Sequence, residues 1–193
     1  MNLVHRVMCK SDKWAGHLRR DIIPWALDGS NLGENVLELG PGPGRATEQL
    51  LERAPELTAI EIDTTAAERL RARLTDPRLT VVIGDATSMP LPDSAFSGVV
   101  SLTMLHHVPS VEAQDALFRE AFRVLEPGGT FAGSDGMLTK QFRLVHLFDT
   151  LVAIDPATLS ARLEAAGFDG VEVDTKSSLF RFSATKPIGS ARA

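Results

Sequence analysis

A single cysteine, Cys9, stands in this chain of 193 residues, so no internal disulfide can form. Nothing in the sequence places a base beside that thiol, and it reads as inert. No apolar run approaches the roughly 18 residues that a membrane helix needs, and no apolar h-region marks a secretory leader. A cytoplasmic protein without membrane insertion is therefore the expectation. Positive charge is sparse as well, since 20 Lys and Arg face 25 Asp and Glu for a net charge of -5, and the basic residues are scattered. Nucleic-acid binding draws its affinity largely from concentrated basic patches that displace counterions at phosphates, so no nucleic-acid partner is expected. Repeats, low-complexity tracts and linker-like stretches are also missing. With 44% hydrophobic and 23% charged residues the chain has the composition of a folded protein, and one domain over 1–193 is expected.

What is present is an alternation of short apolar runs and helical patterns. Val36–Leu39, Leu57–Ile62, Leu79–Ile83, Gly98–Leu102 and Thr130–Ser134 read as strands buried on both faces. Trp14, Leu18, Ile22 and Trp25 recur at helical spacing, giving an N-terminal helical segment within 1–30 that Pro24 is expected to close. Thr65 with Glu68 has capping-box spacing, Asp155-Pro156 supplies an N-cap and a first-turn proline with Gly167 as the stop, and a helix over about Val111–Leu125 ends before Pro127-Gly128-Gly129. Strand, helix, strand in this order implies a parallel sheet covered on both faces. Val171–Thr175 and Leu179–Thr185 are separated only by 176–178, which permits nothing but an antiparallel pair. The expected fold is α/β: a seven-stranded, mostly parallel, Rossmann-like sheet with one reversed strand near its end.

The most informative segment is Val36-Leu-Glu-Leu-Gly-Pro-Gly-Pro-Gly44, a strand that opens into a loop with glycine at 40, 42 and 44. Without Cβ atoms the loop can turn sharply and lie against a ligand, while Pro41 and Pro43 stiffen it. A dinucleotide fingerprint would put glycine at position 45, where this chain has Arg45. The loop is thus suited to something other than a pyrophosphate. Ligands of such sheets bind at the carboxyl ends of the strands, and those ends carry further polar signals. Strand two ends in Glu61-Ile62-Asp63, about 17 residues past Gly44, where a carboxylate can accept from both ribose hydroxyls. Asp63 reads as a helix cap. Strand three ends in Gly84-Asp85-Ala86, and strand four in Thr103-Met104-Leu105-His106-His107.

Together these residues resemble the class I S-adenosylmethionine-dependent methyltransferases, in particular small-molecule enzymes of the quinone-biosynthesis type, from about Trp14 to Pro187. Glu38, Gly40, Gly42 and Gly44 match that family's E-x-G-x-G-x-G signature, and Leu125-Glu126-Pro127-Gly128-Gly129 looks like its turn into strand five. The resemblance implies S-adenosylmethionine as cofactor, with S-adenosylhomocysteine as product. It implies that Glu61 holds the ribose, Ile62 packs on the adenine, Asp85 and the Ala86 backbone read the adenine edge, and Glu38 and Thr103 belong to the same cofactor site. His106 or His107, at the end of strand four, would sit beside the methyl group, with His106 taken as the base where the acceptor is a hydroxyl or an acidic carbon. Where many relatives have Phe-Asp before strand four this chain has Phe96-Ser97, and its segment 135–154 is short. Metal-dependent relatives cluster carboxylate and amide oxygens beyond strands four and five, where this chain has Thr103 and Ser134-Asp135, so no metal is expected.

The implied reaction transfers a methyl group to an oxygen, carbon or nitrogen nucleophile of a small-molecule acceptor. The sulfonium methyl is already activated, so alignment and exclusion of water carry the rate. The N-terminal segment, through Trp14 and His17, would serve as a lid, and Met137, Phe142, Leu147 and Phe148 would line an apolar acceptor pocket. Two other readings stay open. An NAD-dependent oxidoreductase shares the fold logic and would use Glu61 similarly, although Arg45 speaks against it. A non-catalytic protein that binds the same nucleoside would keep every cofactor position. The sequence leaves the oligomeric state undetermined.

Overall fold

The computed structural model describes residues 11–189, so Cys9 and the first ten residues of the N-terminal segment lie outside the described residues. Seven strands form one sheet: β1 (Asn35–Leu39), β2 (Glu56–Glu61), β3 (Leu79–Ile83), β4 (Phe96–Leu102), β5 (Leu125–Gly136), β6 (Asp169–Lys176) and β7 (Leu179–Thr185). Their spatial order is β3-β2-β1-β4-β5-β7-β6. The five strands from β3 to β5 run parallel, and β7 is antiparallel to both β5 and β6, so it is the one reversed strand. The order reverses between β1 and β4, which opens a crevice at the carboxyl ends of those two strands.

Buried runs on both faces explain why the central strands are nearly continuous in apolar residues. One face packs Leu37, Leu39 and Val99 under the aromatic group Phe118, Phe131, Phe168, Phe180 and Phe182, with helices α5 (Val111–Val124) and α7 (Pro156–Ala165) above. Phe131 stands edge-on to Phe182 at 4.9 Å between centroids, a favoured aromatic geometry. The other face packs Val36, Leu57 and Val100 against Leu18, Ile22 and Ile23 of the N-terminal helical segment and Leu50 of α3 (Thr47–Leu50).

Several local expectations are met and three are corrected. Asp63 caps α4 (Thr64–Arg73) by accepting from Ala66 N at 2.9 Å, and Asp155 caps α7 by accepting from Ala157 N at 3.0 Å. The capping box at Thr65 and Glu68 does not form, because the N-cap is Asp63, two residues earlier, and Thr65 is already helical. Pro24 does not close the N-terminal helix. α1 (Asp12–His17) runs into a π-helical turn (Leu18–Ile22) and then α2 (Ile23–Ala26), with the proline in the first turn of α2, directly after the π-helical turn. Pro127-Gly128-Gly129 is not a separate turn either. It lies within the long β5, where the register against β4 shifts between Phe96 and Gly98, and Gly128 N donates to Lys186 O at 2.7 Å. The serine of Phe96-Ser97 is well used: the one proton of its hydroxyl is shared between the carbonyls of Leu32 at 2.8 Å and Asn35 at 3.0 Å, and its oxygen accepts from Asn35 N at 2.9 Å, fastening the entry of β1 to β4.

Candidate functional site

The crevice at the reversal point is a cleft of about 460 Å³, a volume suited to a nucleoside-sized ligand. Its floor is the loop after β1. Gly40 and Gly42 have φ of +63° and +52°, a backbone region that side chains with a Cβ adopt at a cost. A Cβ on Gly40 would lie 2.3 Å from Met104 Cγ, whereas one on Gly42 would enter open space at the cleft wall. Gly44 has a different setting. It does not line the cleft, and a Cβ there would strike Leu70 and Arg73 of α4, so this glycine lets the loop pack on the following helix.

Two carboxylates organise the loop from below. Glu61 at the end of β2 accepts from Gly42 N through Oε2 at 2.9 Å and from Asp63 N through Oε1 at 3.0 Å. It is nearly buried yet reaches the cleft, and each oxygen keeps a lone pair for a further donor. Glu38 in β1 is buried at 2% exposure and accepts from the Thr47 hydroxyl at 2.7 Å. Burial pushes its carboxyl up to about 7; the Thr47 bond pulls against that rise and the Glu61 charge adds to it. A cationic group entering the cleft beside Glu38 would be met by a carboxyl ready to ionise.

The remaining walls come from the other strand ends. Ile62 is 66% exposed, a large aliphatic surface offered to a ligand rather than to the core. Asp85 lines the cleft with Ala86 and Thr87, and its Oδ1 accepts from Thr87 N and Thr87 Oγ1, both at 2.8 Å. Thr103 has φ of +54°, an outlier for a β-branched residue, held by its N–H donating to Ser134 O at 2.8 Å. Trp14 and Leu18 close one side, while Arg45 reaches back to Asp12 at 3.0 Å. His17 is turned outward to Asp21 at 2.7 Å and takes no part in the wall.

At the other end the cleft meets Met104, His107, Val108, Asp149 and Thr150. His106 is not on this wall. It is buried behind the short 3-10 turn Leu105–His107, with Nδ1 at 2.6 Å from Asp135 and Nε2 at 3.0 Å from His146 Nε2. Burial holds His146 below the usual imidazole range, with the Phe142 carbonyl opposing and His106 adding to the effect. Of the apolar residues expected at the acceptor end, Met137 packs into the core, Phe142 stacks edge-on to His106 at 4.9 Å, and Leu147 and Phe148 point outward. None of the four lines the cleft. Sequence reading missed His146 altogether, since it lies in an irregular stretch after α6 (Lys140–Val145) with no periodicity to flag it.

Comparison with known proteins bears on this cleft. A family model described as a methyltransferase domain matches residues 37–133, about half the chain, including the glycine loop and the ends of β1 to β4. A probable S-adenosylmethionine-dependent methyltransferase of Mycolicibacterium smegmatis is 30% identical over 155 residues, covering 78% of this chain and 58% of that protein. Ribosomal RNA small subunit methyltransferase A of Bordetella pertussis is 35% identical over 141 residues, covering 64% and 53%. The chain thus spans little more than half the length of these relatives. Among solved structures, phosphoethanolamine N-methyltransferase 2 of Haemonchus contortus, in complex with S-adenosyl-L-methionine, superposes with a TM-score of 0.71 at 18% identity, over 90% of this chain and 53% of that one.

Proposed function

The chain belongs to the methyltransferase domain family of the class I S-adenosylmethionine-dependent enzymes, and from that premise we propose that it transfers the sulfonium methyl of S-adenosylmethionine to a small-molecule acceptor. One observation carries the reading: Glu61 binds the amide of Gly42 while facing the cleft, so the ribose-holding carboxylate and the bare loop form one unit. In this reading the ribose hydroxyls donate to Glu61, Ile62 covers the adenine, Asp85 with the Ala86 amide reads its amino edge, and Glu38 faces the cationic amino end. Gly40, Gly42 and Thr103 supply the close backbone wall, and Gly44 keeps the loop seated on α4. His107 is the imidazole that reaches the acceptor, with His106 and Asp135 behind it as positioning groups.

In-line displacement at the methyl carbon needs no covalent intermediate, so the chain's task is to align the nucleophile, exclude water and accept its proton where it carries one. A small acceptor is supported by the restricted cleft and the net charge of -5. The ribosomal RNA relatives favour RNA as the second reading. Calorimetric titration with S-adenosylhomocysteine and with NAD tests the cofactor: tight binding of the first and none of the second is expected, and the reverse would sink the reading. Release of S-adenosylhomocysteine in the presence of small hydroxyl, amine and carbon acids, set against ribosomal RNA, decides the acceptor class.

A further inference from the structure

Two buried imidazoles meet behind the Leu105–His107 turn. His106 Nδ1 lies 2.6 Å from Asp135 Oδ1, and the same carboxylate accepts from the amides of Gly136 at 2.6 Å and His106 at 3.1 Å. His146 Nδ1 lies 2.7 Å from the Phe142 carbonyl. A carbonyl or a carboxylate only accepts, so the partners assign a proton to each Nδ1. Both Nε2 atoms are then lone-pair nitrogens, and they stand 3.0 Å apart. Two lone pairs cannot bond each other, and a shared cation, either a proton or a metal, would bridge them at this distance. A proton accounts for two imidazoles. The third, His107, brings a ring nitrogen so that one nitrogen from each of the three lies within 4.8 Å of the others.

We propose that His106, His107 and His146 form a binding site for a divalent transition metal, zinc above all, at the acceptor end of the cleft. Imidazole donors suit zinc, and metal-bound histidines characteristically donate the other N–H to a carboxylate or a carbonyl, as His106 does to Asp135 and His146 to Phe142. Two nitrogens on a tetrahedral zinc at about 2.0–2.1 Å stand about 3.3 Å apart, a few tenths of an ångström from the 3.0 Å here. His107 has to swing inward to complete the set. Carboxylates and amides beyond strands four and five, whose lack underlies the expectation of no metal, make a site for hard cations; a set of three imidazoles obeys different chemistry. Three protein ligands leave a position open on the side of His107, toward the cleft. That an acceptor oxygen, sulfur or nitrogen occupies it rests on the methyl-transfer reading, whereas the metal site itself does not.

The test uses the full chain freed of metal by a chelator, titrated with Zn2+ by calorimetry and with Co2+ by visible absorption. One equivalent of Zn2+ and the visible bands of a tetrahedral cobalt centre are expected. His146→Gln and His107→Gln should each weaken zinc binding at least about a hundredfold, and Asp135→Asn about 10–100-fold, the range for an outer-shell partner. Thermal transitions verify that each variant is folded, and His107→Gln, on the half-buried residue, guards against a core defect. No saturable zinc uptake by the wild type, or unchanged zinc affinity in both histidine variants, overturns the site. S-adenosylhomocysteine titrated into the same samples separates the two ideas: binding without zinc uptake defeats the metal site alone, and zinc uptake without nucleoside binding defeats the methyl-transfer reading alone.

Discussion

Replacing Glu38 with Gln is expected to raise stability at neutral pH and to lower cofactor affinity, two effects of opposite sign from one buried carboxyl. In the folded chain this group titrates near 7, against an ordinary value of 4.5. The folded state therefore holds the proton across the interval that the unfolded chain releases it in. Stability contributed by the neutral form is fully present below 4.5, falls as pH rises toward 7, and is absent above. At about 1.36 kcal/mol per pH unit, the interval corresponds to about 3 kcal/mol. Gln has the same size, stays neutral, and can accept the Thr47 hydroxyl bond in place of the carboxylate. Urea denaturation of both proteins at pH 4, 6 and 8 should show the variant gaining about 3 kcal/mol relative to wild type between the extremes. Cofactor binding runs the other way. If an ammonium end pairs with ionised Glu38, wild-type affinity for S-adenosylhomocysteine should rise about tenfold from pH 6 to pH 8, following the ionised fraction, while the variant stays flat and weaker. Parallel stability profiles for the two proteins, together with a wild-type affinity indifferent to pH, would refute the account of Glu38.

Gly42→Val tests the loop. A Cβ there meets no protein atom within 4 Å, so the chain should fold with a loss of about 1–2 kcal/mol from the positive φ, read by denaturation. S-adenosylhomocysteine affinity should fall at least tenfold, and an unchanged Kd would mean that the nucleoside lies elsewhere. Thr103→Asn relieves a β-branched residue at φ +54° and should stabilise the fold by up to about 1 kcal/mol while weakening nucleoside binding. Equal or lower stability in the variant would remove strain from the description of that strand end.

The fold was legible because most of its signals are local. Short apolar runs gave five parallel strands, and the two residues between β6 and β7 forced the antiparallel pair. Pro24 misled because its helical role depends on a π-helical turn that no propensity encodes. Pro127-Gly128-Gly129 misled because it bulges within β5 between the Phe96–Leu125 and Gly98–Thr130 pairs and is tied by its backbone to Lys186. Both errors come from tertiary context overriding a residue type known for punctuation.

The two ends of the cleft differ in a way that follows from how each is assembled. Gly40, Gly42, Glu61, Ile62, Asp85 and Ala86 sit at the ends of β1, β2 and β3 or just beyond, so spacing from one strand end to the next tracks position along the sheet edge. The acceptor end has no such ruler. His106, Asp135 and His146 come from a turn after β4, the end of β5 and an irregular stretch after α6, and they meet 29 and 40 residues apart in sequence. A histidine pair in the sequence pointed to His106, but only the packing shows that the turn sends His107 to the cleft and His106 inward to Asp135. Chemistry that depends on such long-range meetings leaves no short motif in the sequence, whereas residues at neighbouring strand ends do.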